Sequence, residues 1–195
     1  MNNTAEKNIG LNGAYQQDDV IWHQHSNKLL VELLNHFTKE VPIIDLGCGH
    51  NWYANTLKVL GYRAIGVDNA WYPSLDARVD ITIPIKPFIQ VPIINSIPEK
   101  WNVLSLEVGE HIPSELAAGY LDNVCSFGGD VCMSWAVKGQ PGIGHINCQD
   151  NFWVISEMNN RGYAIDHIKT ACLRHAVRDC HCSWFTNTLM YFTKQ

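Results

Sequence analysis

An α/β fold with a mainly parallel sheet is predicted by this sequence of 195 residues. Short apolar runs alternate along it with segments of helical periodicity. The first run, residues 41–46, carries no charge before Asp45, which is typical of a strand buried on both faces of a parallel sheet. The glycine turn Gly47-Cys48-Gly49 follows it, and a second apolar run leads to Asp68. This order indicates a βαβ unit with a ligand site at its strand ends.

Two helices and the second strand are predicted around this turn. Residues 26–39 are expected to form an amphipathic helix, with Ser26 as its N-cap. Residues 51–60 are expected to form a second helix, which Gly61 is suited to terminate, and residues 62–67 the next strand. The predicted inward faces of the two helices are Leu29, Leu30, Leu33, Leu34 and Phe37, and Tyr53, Leu57 and Leu60.

The alternation continues after a region rich in proline. Residues 71–98 contain five prolines and are expected to be irregular, with short extended pieces. The elements predicted beyond them are strands at 101–108 and 130–137, helices at 114–127 and 151–161, and extended stretches at 163–168 and 184–192. The length and the apolar content suit one domain with a full core.

The two acids and the glycine turn favour a nucleoside ligand. Asp68 lies about 20 residues beyond the turn, where an acid can hold the two hydroxyls of a ribose. A dinucleotide site would need a third glycine for its pyrophosphate, and Trp52 stands there instead. Asp45 would repel a phosphate, whereas it could form a charge-assisted hydrogen bond with an ammonium group. The pattern therefore disfavours a dinucleotide.

The segment Ile43-Ile44-Asp45-Leu46-Gly47-Cys48-Gly49 resembles motif I of the class I S-adenosylmethionine-dependent methyltransferases, and Gly66-Val67-Asp68 resembles their ribose-binding acid. The resemblance implies a single Rossmann-like domain over residues 18–195, after a polar segment, 1–17, whose composition suits a flexible chain. It also implies a seven-stranded, mostly parallel sheet in the order 3-2-1-4-5-7-6, flanked by helices, with the final strand antiparallel.

S-adenosylmethionine is the cofactor that the resemblance implies. Asp80 and Ile81 look like the family's motif in which an acid meets the adenine amino group and an apolar residue packs on the ring; the alternative is a solvated acid in a loop. Trp71 and Tyr72 are candidates to cover the adenine, or else are core or surface aromatics. The implied cofactor-binding residues are Asp45, Gly47, Cys48, Gly49, Asp68, Asn69, Asp80, Ile81 and Glu107.

Two glutamates and a histidine follow the strand predicted at 101–108. Glu107, Glu110 and His111 lie within five residues, and carboxylates with an imidazole can bind a divalent cation. The pattern E-x-x-E-H resembles two subfamilies associated with a metal: ubiquinone-pathway O-methyltransferases and enzymes that methylate the 2′-hydroxyl at the 3′ end of small RNAs. The alternative is that the three side chains form only local hydrogen bonds or meet solvent. With a metal such as Mg²⁺, an acceptor hydroxyl would have a lower pKa.

A glycine-rich loop, residues 138–147, adds His145 to these candidates. Three glycines around one histidine indicate a mobile rim of the site, and His145 is a candidate fourth metal ligand or general base. A purely structural hydrogen bond is the alternative. The candidate catalytic and metal-binding residues are thus Glu107, Glu110, His111 and His145. His23 and His25 are either a lid over the site or surface groups.

The amino-acid composition limits the partners that the protein is expected to bind. The formal net charge is −5 and no dense basic cluster is present, so long nucleic acid is a poor partner and a small-molecule or glycan acceptor fits better. Residues 1–17 lack the pattern of a signal peptide, and no apolar run is long enough to span a membrane, so a cytoplasmic location is expected. The seven cysteines are expected to be buried, reduced thiols, and Cys180-His181-Cys182 is a weak candidate for a metal clip.

The function expected from these features is transfer of a methyl group from S-adenosylmethionine to a hydroxyl of a small molecule or sugar. Glu107 and His111 favour an oxygen acceptor, because proton removal then accompanies the transfer. A metal-assisted 2′-O-methyltransferase acting on RNA 3′ ends is the alternative enzyme. A catalytically silent S-adenosylmethionine-binding subunit that serves a partner is the alternative outside the enzymes.

Overall fold

The computed structural model describes residues 11–12, 26–70, 72–85 and 99–195. The helices among them are α1 (Asn27–Leu33), α2 (Trp52–Val59), α3 (Ala117–Ser126), α4 (Asn151–Asn159), α5 (His167–Ala176) and α6 (Phe185–Thr188). The strands are β1 (Ile43–Leu46), β2 (Ala64–Asp68), β3 (Ala77–Arg78), β4 (Trp101–Ser105), β5 (Gly128–Ser134), β6 (Tyr163–Ile165) and β7 (Leu189–Lys194). His23, His25 and Trp71 lie outside the described residues, as does most of segment 1–17, and their predicted roles stay predictions.

The seven strands form one sheet in the order β3-β2-β1-β4-β5-β7-β6. All neighbouring strands are parallel except β7, which runs antiparallel to both β5 and β6. Strand β1 lies at the centre, with Asp45 opposite Gly66 on one side and Leu104 on the other. The predicted fold class and strand order are confirmed.

Helices cover the sheet on both faces. Helices α1, α2, α5 and α6 bury side chains such as Leu29, Leu57 and Phe185 in one apolar cluster, and α3 and α4 contribute to a second cluster around Trp135. Each fully buried large apolar side chain contributes about 1.5–3 kcal/mol relative to exposure. Both faces of the central strands are covered by helices. A ligand is therefore expected at the carboxyl ends of the strands.

Several predicted boundaries are corrected. The first helix ends at Leu33 rather than residue 39, although Ser26 is confirmed as its N-cap, with Oγ accepting the N–H of Leu29 at 3.2 Å. Leu60 is exposed because it lies beyond the last turn of α2 and so leaves the inward face. The predicted strands at 101–108 and 130–137 end at Ser105 and Ser134, which leaves the residues after them to form loops at the site.

Two helices near the C-terminus were not predicted. Helix α5 begins at the N-cap Asp166, whose carboxylate accepts the N–H of Lys169 at 2.9 Å, but it buries only Thr170 and Leu173, so its apolar periodicity is weak. Helix α6 is a single turn within the stretch predicted to be extended at 184–192; it buries Phe185 and turns the chain into β7. Tertiary packing overrides local pattern in both cases.

The cysteines are all free thiols, as predicted, but they are less uniformly buried than expected. Cys132 and Cys182 are buried, Cys172 is exposed, and the other four are intermediate. Within the described parts of the chain, the Cys180-His181-Cys182 segment forms no cluster of three metal-ligating atoms. The prediction of seven buried cysteines is therefore wrong in part, because five of the seven residues are exposed or intermediate.

A polar network fixes the strand β2 against the start of helix α2. The carboxylate of Asp76 accepts the N–H of Gly66 at 2.8 Å, the amide of Asn51 at 3.1 Å and the ammonium of Lys58. Asn51 is buried in a left-handed conformation with φ +62°. A Cβ on Gly66 would lie 1.9 Å from Asn51 Oδ1, so only glycine fits beneath this side chain.

Replacement of Gly66 by alanine is therefore expected to destabilise the protein by about 1–3 kcal/mol through overpacking. The midpoint of thermal unfolding should fall by about 2–4 °C per kcal/mol in a domain of this size. In an Asn51→Gly background, which removes Oδ1 and tolerates the left-handed backbone, Gly66→Ala should cost much less. An equal cost in both backgrounds would contradict the proposed contact.

Candidate cofactor and catalytic site

The glycine turn after β1 is packed between the ends of two other strands. The N–H groups of Gly47 and Cys48 donate to the carbonyl of Val67 at 2.8 and 3.2 Å. Gly47 has φ +77°, and a Cβ there would lie 2.5 Å from a methyl carbon of Val108. The absence of a side chain at Gly47 therefore lets Val108 pack directly against the backbone of the turn. Burial, aided by nearby carboxylates, raises the pKa of the Cys48 thiol well above its ordinary value.

Asp45 lies at the end of β1, buried beside this turn. Its Oδ2 atom has no hydrogen-bond partner among the described residues. Burial, with a smaller contribution from the carboxylate of Asp68, raises the pKa of Asp45 to about 8. A buried acceptor without a donor is costly, and a cationic donor from a ligand would relieve that cost.

Asp68 is held at the end of β2 by backbone donors. Its Oδ2 accepts the N–H of Gly49 at 2.9 Å and its Oδ1 accepts the N–H of Ala70 at 2.8 Å. Each carboxylate oxygen has more than one lone pair, so these bonds orient the group and leave it able to accept from ribose hydroxyls. The neighbouring Asn69 uses its carbonyl to accept from Arg78 Nε at 2.9 Å.

Asp80 is a half-buried acid that accepts hydrogen bonds from the protein. It accepts from the backbone N–H and the hydroxyl of Thr82 at 2.9 and 2.6 Å and from the amide of Asn12 at 2.8 Å. Burial raises its pKa, but these three donors outweigh burial and lower the pKa overall. Ile81 is buried and belongs to the core cluster around Trp135. The ring of Tyr72 is buried as well.

Glu107 follows β4 in a left-handed conformation, with φ +55°. Ser134, at the end of β5, accepts the backbone N–H of Glu107 at 2.7 Å and donates its hydroxyl to the Glu107 carboxylate at 2.8 Å. The amide of Gln140 donates to the other carboxylate oxygen at 3.2 Å. Burial raises the pKa of Glu107, against the effect of these donors. Such backbone strain in a non-glycine residue is common at functional sites.

Glu110 is fully buried in the short 3₁₀ turn Gly109–His111. Within the described residues, neither of its carboxylate oxygens has a well-formed hydrogen bond. Burial, together with the nearby carboxylate of Glu107, raises the pKa of Glu110 well above its ordinary range. The nearest cationic candidate is His145, whose Nε2 lies 3.9 Å from Glu110 Oε1.

Two imidazole rings meet beside Glu110. The rings of His111 and His145 pack edge to face with centroids 5.1 Å apart. His111 Nδ1 lies 3.1 Å from the carbonyl of Gly144, and His145 Nδ1 lies 3.2 Å from the carbonyl of Gln140. If each Nδ1 carries the proton, both imidazoles present Nε2 as the basic atom. Burial lowers the pKa of His145, partly opposed by the Gln140 carbonyl, which favours the neutral ring at neutral pH.

Three of the four candidate metal ligands come together. One ligand atom from each of Glu110, His111 and His145 lies within 4.8 Å of the others, while the carboxylate of Glu107 is held by Ser134 and Gln140. Imidazoles whose other nitrogen donates to a backbone carbonyl are typical of metal ligands. The unpartnered Glu110 oxygens and the two imidazoles therefore fit a divalent cation, and two nitrogen ligands suit a transition metal better than Mg²⁺.

Sequence reasoning missed the residues that support this cluster. Ser134 and Gln140 position Glu107, and the ring of Trp135 packs against Gly109, where a Cβ would lie 2.3 Å from it. Asn51, under the glycine turn, was missed as well. Ser134 occupies the end of a central strand, so the rule that ligands bind beyond strand ends could have selected it.

Comparison with known proteins relates the chain to one fold. No family model matches it, and no curated protein matches its sequence. Among solved structures it is similar to a magnesium protoporphyrin IX methyltransferase from Synechocystis with bound SAH, with a TM-score of 0.53, 14% identity, and coverage of 80% of this chain and 74% of that one. It is also similar to the 1,6-didemethyltoxoflavin-N1-methyltransferase of Burkholderia thailandensis, with a TM-score of 0.54, 10% identity, and coverage of 86% and 76%.

A third similar structure is a complex of the Trm112 methyltransferase activator from Haloferax volcanii with a methyltransferase, at a TM-score of 0.53, 13% identity and coverage of 82% and 84%. These structures share the strand order that the present sheet displays. The chain has the fold of the class I S-adenosylmethionine-dependent methyltransferases. At this level of identity, the likeness concerns the fold.

In this fold, candidate residues of the site follow the two strands on either side of a reversal in strand order. The strand order reverses direction between β1 and β4, and open α/β sheets bind ligands at such a switch point, beyond the carboxyl ends of the strands. Asp45 lies at the end of β1 and Glu107 lies two residues past β4. No helix of the described residues is both long and apolar enough to cross a membrane.

Substitution Asp45→Asn is expected to stabilise the protein that has no ligand, and more so as the pH rises. The folded-state pKa of Asp45 is about 8, above its value of roughly 3.9 in an unfolded chain, so the folded state holds a proton that the unfolded state releases. Stability conferred by the wild-type residue therefore falls between about pH 4 and pH 8, and asparagine has no such titration. Thermal unfolding of both proteins from pH 5 to pH 9 measures the difference; a difference independent of pH would contradict the buried, protonated carboxyl.

Proposed function

We propose that the protein is an S-adenosylmethionine-dependent methyltransferase that methylates a hydroxyl group of a small molecule or sugar. The observation that carries the proposal is Asp45, a buried carboxyl at the end of β1 whose Oδ2 atom has no partner among the described residues, close enough to Asp68 for the two carboxyls to interact. A nucleoside that also bears an ammonium group has complementary donors for these acids. The class I fold supports this choice.

Each part of the cofactor has a proposed partner. The ammonium of its amino-acid portion would pair with Asp45, and the ribose hydroxyls would donate to Asp68. Asp80 and Ile81 would border the adenine. The cofactor supplies an electrophilic methyl group on a sulfonium, so its transfer needs no nucleophilic side chain.

His145 is the proposed general base. Methyl transfer to an oxygen is an in-line displacement in which the acceptor loses its proton, so the chain has to orient the hydroxyl, exclude water and accept that proton. The low pKa of His145 leaves its imidazole neutral, and the Gln140 carbonyl would hold the proton on Nδ1. The basic Nε2 atom then lies 3.9 Å from Oε1 of the buried Glu110 carboxyl.

A metal-assisted form of the reaction is the second candidate. It is favoured by the convergence of one ligand atom each from Glu110, His111 and His145 within 4.8 Å, and because neither Glu110 carboxylate oxygen has a well-formed hydrogen bond within the described residues. A cation held there would lower the pKa of the acceptor hydroxyl. For an RNA 3′ end as the acceptor, the balance of 19 acidic against 14 basic residues is unfavourable.

A catalytically silent subunit is the remaining alternative. Such a subunit would need the cofactor site but not the strained Glu107, its two positioning donors or the imidazole pair. Strain and unpartnered buried acids cost folding free energy, which favours a chemical role for the residues that carry them. We therefore rank the enzyme first.

Binding of S-adenosylmethionine at pH 7 is expected to release about one proton from Asp45, because its pKa is about 8 without a ligand and an adjacent ammonium would lower it. Titration calorimetry in two buffers with different ionisation enthalpies measures this number. Asp45→Asn should abolish the release and weaken binding about tenfold or more, whereas Asp122→Asn, on an exposed acid, should change neither. Absence of binding, or equal heats in both buffers, would contradict the proposed pairing.

Methyl transfer from labelled S-adenosylmethionine should be detectable over a panel of phenols, sugars and RNA 3′ ends. His145→Gln, which retains a polar side chain but no base, is expected to reduce kcat by about 10²–10⁴-fold while leaving cofactor affinity within twofold. Exhaustive chelation separates the two forms of the reaction: activity that survives it excludes the metal. Unchanged turnover by His145→Gln would show that the residue is structural.

A further inference from the structure

The loop that carries His145 is closed at its base and packs against Glu107 and Glu110. We define the rim loop as residues 137–148. The N–H of Gln149 donates to the carbonyl of Ala136 at 3.0 Å, and the ammonium of Lys138 lies 2.9 Å from the carboxylate of Asp150. These two contacts bring the ends of the rim loop together, so the loop projects as one piece from the end of β5.

The tip of the rim loop contacts the candidate catalytic residues directly. The N–H groups of Ile146 and Asn147 donate to the carbonyl of Glu110 at 2.9 Å. Gly142 packs against the ring of His145, where a Cβ would lie 2.1 Å from Nε2. The carbonyl of Gly144 lies 3.1 Å from His111 Nδ1. Ile143 therefore stands between two residues that touch imidazoles, and Ile146 is next to His145.

These two isoleucines are exposed, although the backbone of Ile146 bonds to the buried Glu110. Ile143 is 48% exposed and Ile146 is 61% exposed. Phe152, just beyond the base of the loop, is 81% exposed. Three of the nine large hydrophobic side chains exposed by the described residues thus fall within ten positions. Covering such side chains contributes roughly 25 cal/mol per Å² of apolar surface, which a ligand with an apolar face would gain.

The charges around the rim loop disfavour an anionic ligand. Between Ser134 and Trp153 the only lysine, arginine, aspartate and glutamate side chains are Lys138 and Asp150, which pair with each other. Glu107 and Glu110 lie behind the loop and add negative potential whenever they ionise. No cation of this segment remains to neutralise a phosphate or carboxylate, so an uncharged ligand fits best.

From the exposed isoleucines and the charge balance, we propose that the methyl acceptor is an uncharged, apolar hydroxylated molecule of the phenol class, packed on Ile143 and Ile146 with its hydroxyl toward His145. This rests on the proposed function and narrows its acceptor. A phenol presents an apolar face and a single hydroxyl, whereas a sugar would place several hydroxyls on isoleucine side chains without hydrogen bonds. A phenolic hydroxyl, which ionises near pH 10, also yields its proton to an imidazole more readily than a sugar hydroxyl does.

The transfer balances without further reactants. The acceptor oxygen forms a bond to the methyl carbon as the carbon–sulfur bond of the sulfonium breaks, and the electron pair of that bond stays on sulfur. The phenolic proton passes to His145 Nε2 and then to water. The products are the methyl ether, the neutral thioether form of the cofactor and one proton.

The test uses 1-naphthol as the acceptor and compares the double variant Ile143→Ser/Ile146→Ser with the wild type. We expect the KM for 1-naphthol to rise about tenfold while kcat and the affinity for S-adenosylmethionine stay within twofold. Ile168→Ser, which removes a side chain of 79% exposure on α5, is the matched control and should change none of these values. Equal thermal unfolding midpoints check that the variants fold.

Binding of 1-naphthol, followed by quenching of tryptophan fluorescence in the presence of S-adenosylhomocysteine, gives a readout that does not need turnover. We expect the double variant to bind it about tenfold more weakly and 1-naphthyl phosphate to bind the wild type more weakly than 1-naphthol does. Failure of the wild type to bind 1-naphthol, equal binding by the double variant, or preference for methyl glucoside, the phosphate or an RNA 3′ end would overturn the proposal. Failure to bind S-adenosylmethionine in calorimetry would instead overturn the proposed function.

Discussion

The burial of the Asp45 and Glu110 carboxyls, which have oxygens without a well-formed hydrogen bond among the described residues, is the constraint on which the rest of this structure depends. Asp45 lies on β1 between two parallel neighbours, and its side chain is buried. The free-energy cost of burying the Asp45 carboxyl is offset by the packing on both faces of the sheet, where side chains such as Leu46 and Val103 are completely buried. A protein selected for stability alone would place an apolar residue there.

A second acid is buried near the neighbouring strand end, where Glu110 lies in the 3₁₀ turn that follows β4. Glu107 turns through a left-handed conformation to reach its two donors, and the rim loop closes over both glutamates by bonding to the carbonyl of Glu110. The two acidic sites thus lie on either side of the point where the strand order reverses. One suits a cationic nucleoside, and the other suits a proton transfer or a bound cation.

Much of this arrangement could be predicted from the sequence, because local pattern determines it. The apolar run ending at Asp45 and the glycine turn after it predict the parallel strand β1 from residue types alone, and the structure confirms that strand. Features set by tertiary contacts could not be predicted in this way. Asn51 forms its hydrogen bond to Asp76 only when β2 and α2 are packed together. Ser134 reaches Glu107 only because β5 lies beside β4. Helix α5 was missed because few of its side chains are buried, so packing defines it more than periodicity does.

The binding of the cofactor's ammonium group by the buried Asp45 is tested most directly by following the carboxyl carbon of Asp45 in a ¹³C NMR titration, with and without saturating S-adenosylhomocysteine. We expect a pKa of about 8 for the protein alone and a decrease of at least two units in the complex. An ordinary pKa near 4 without ligand, or a raised value that the ligand leaves unchanged, would contradict it.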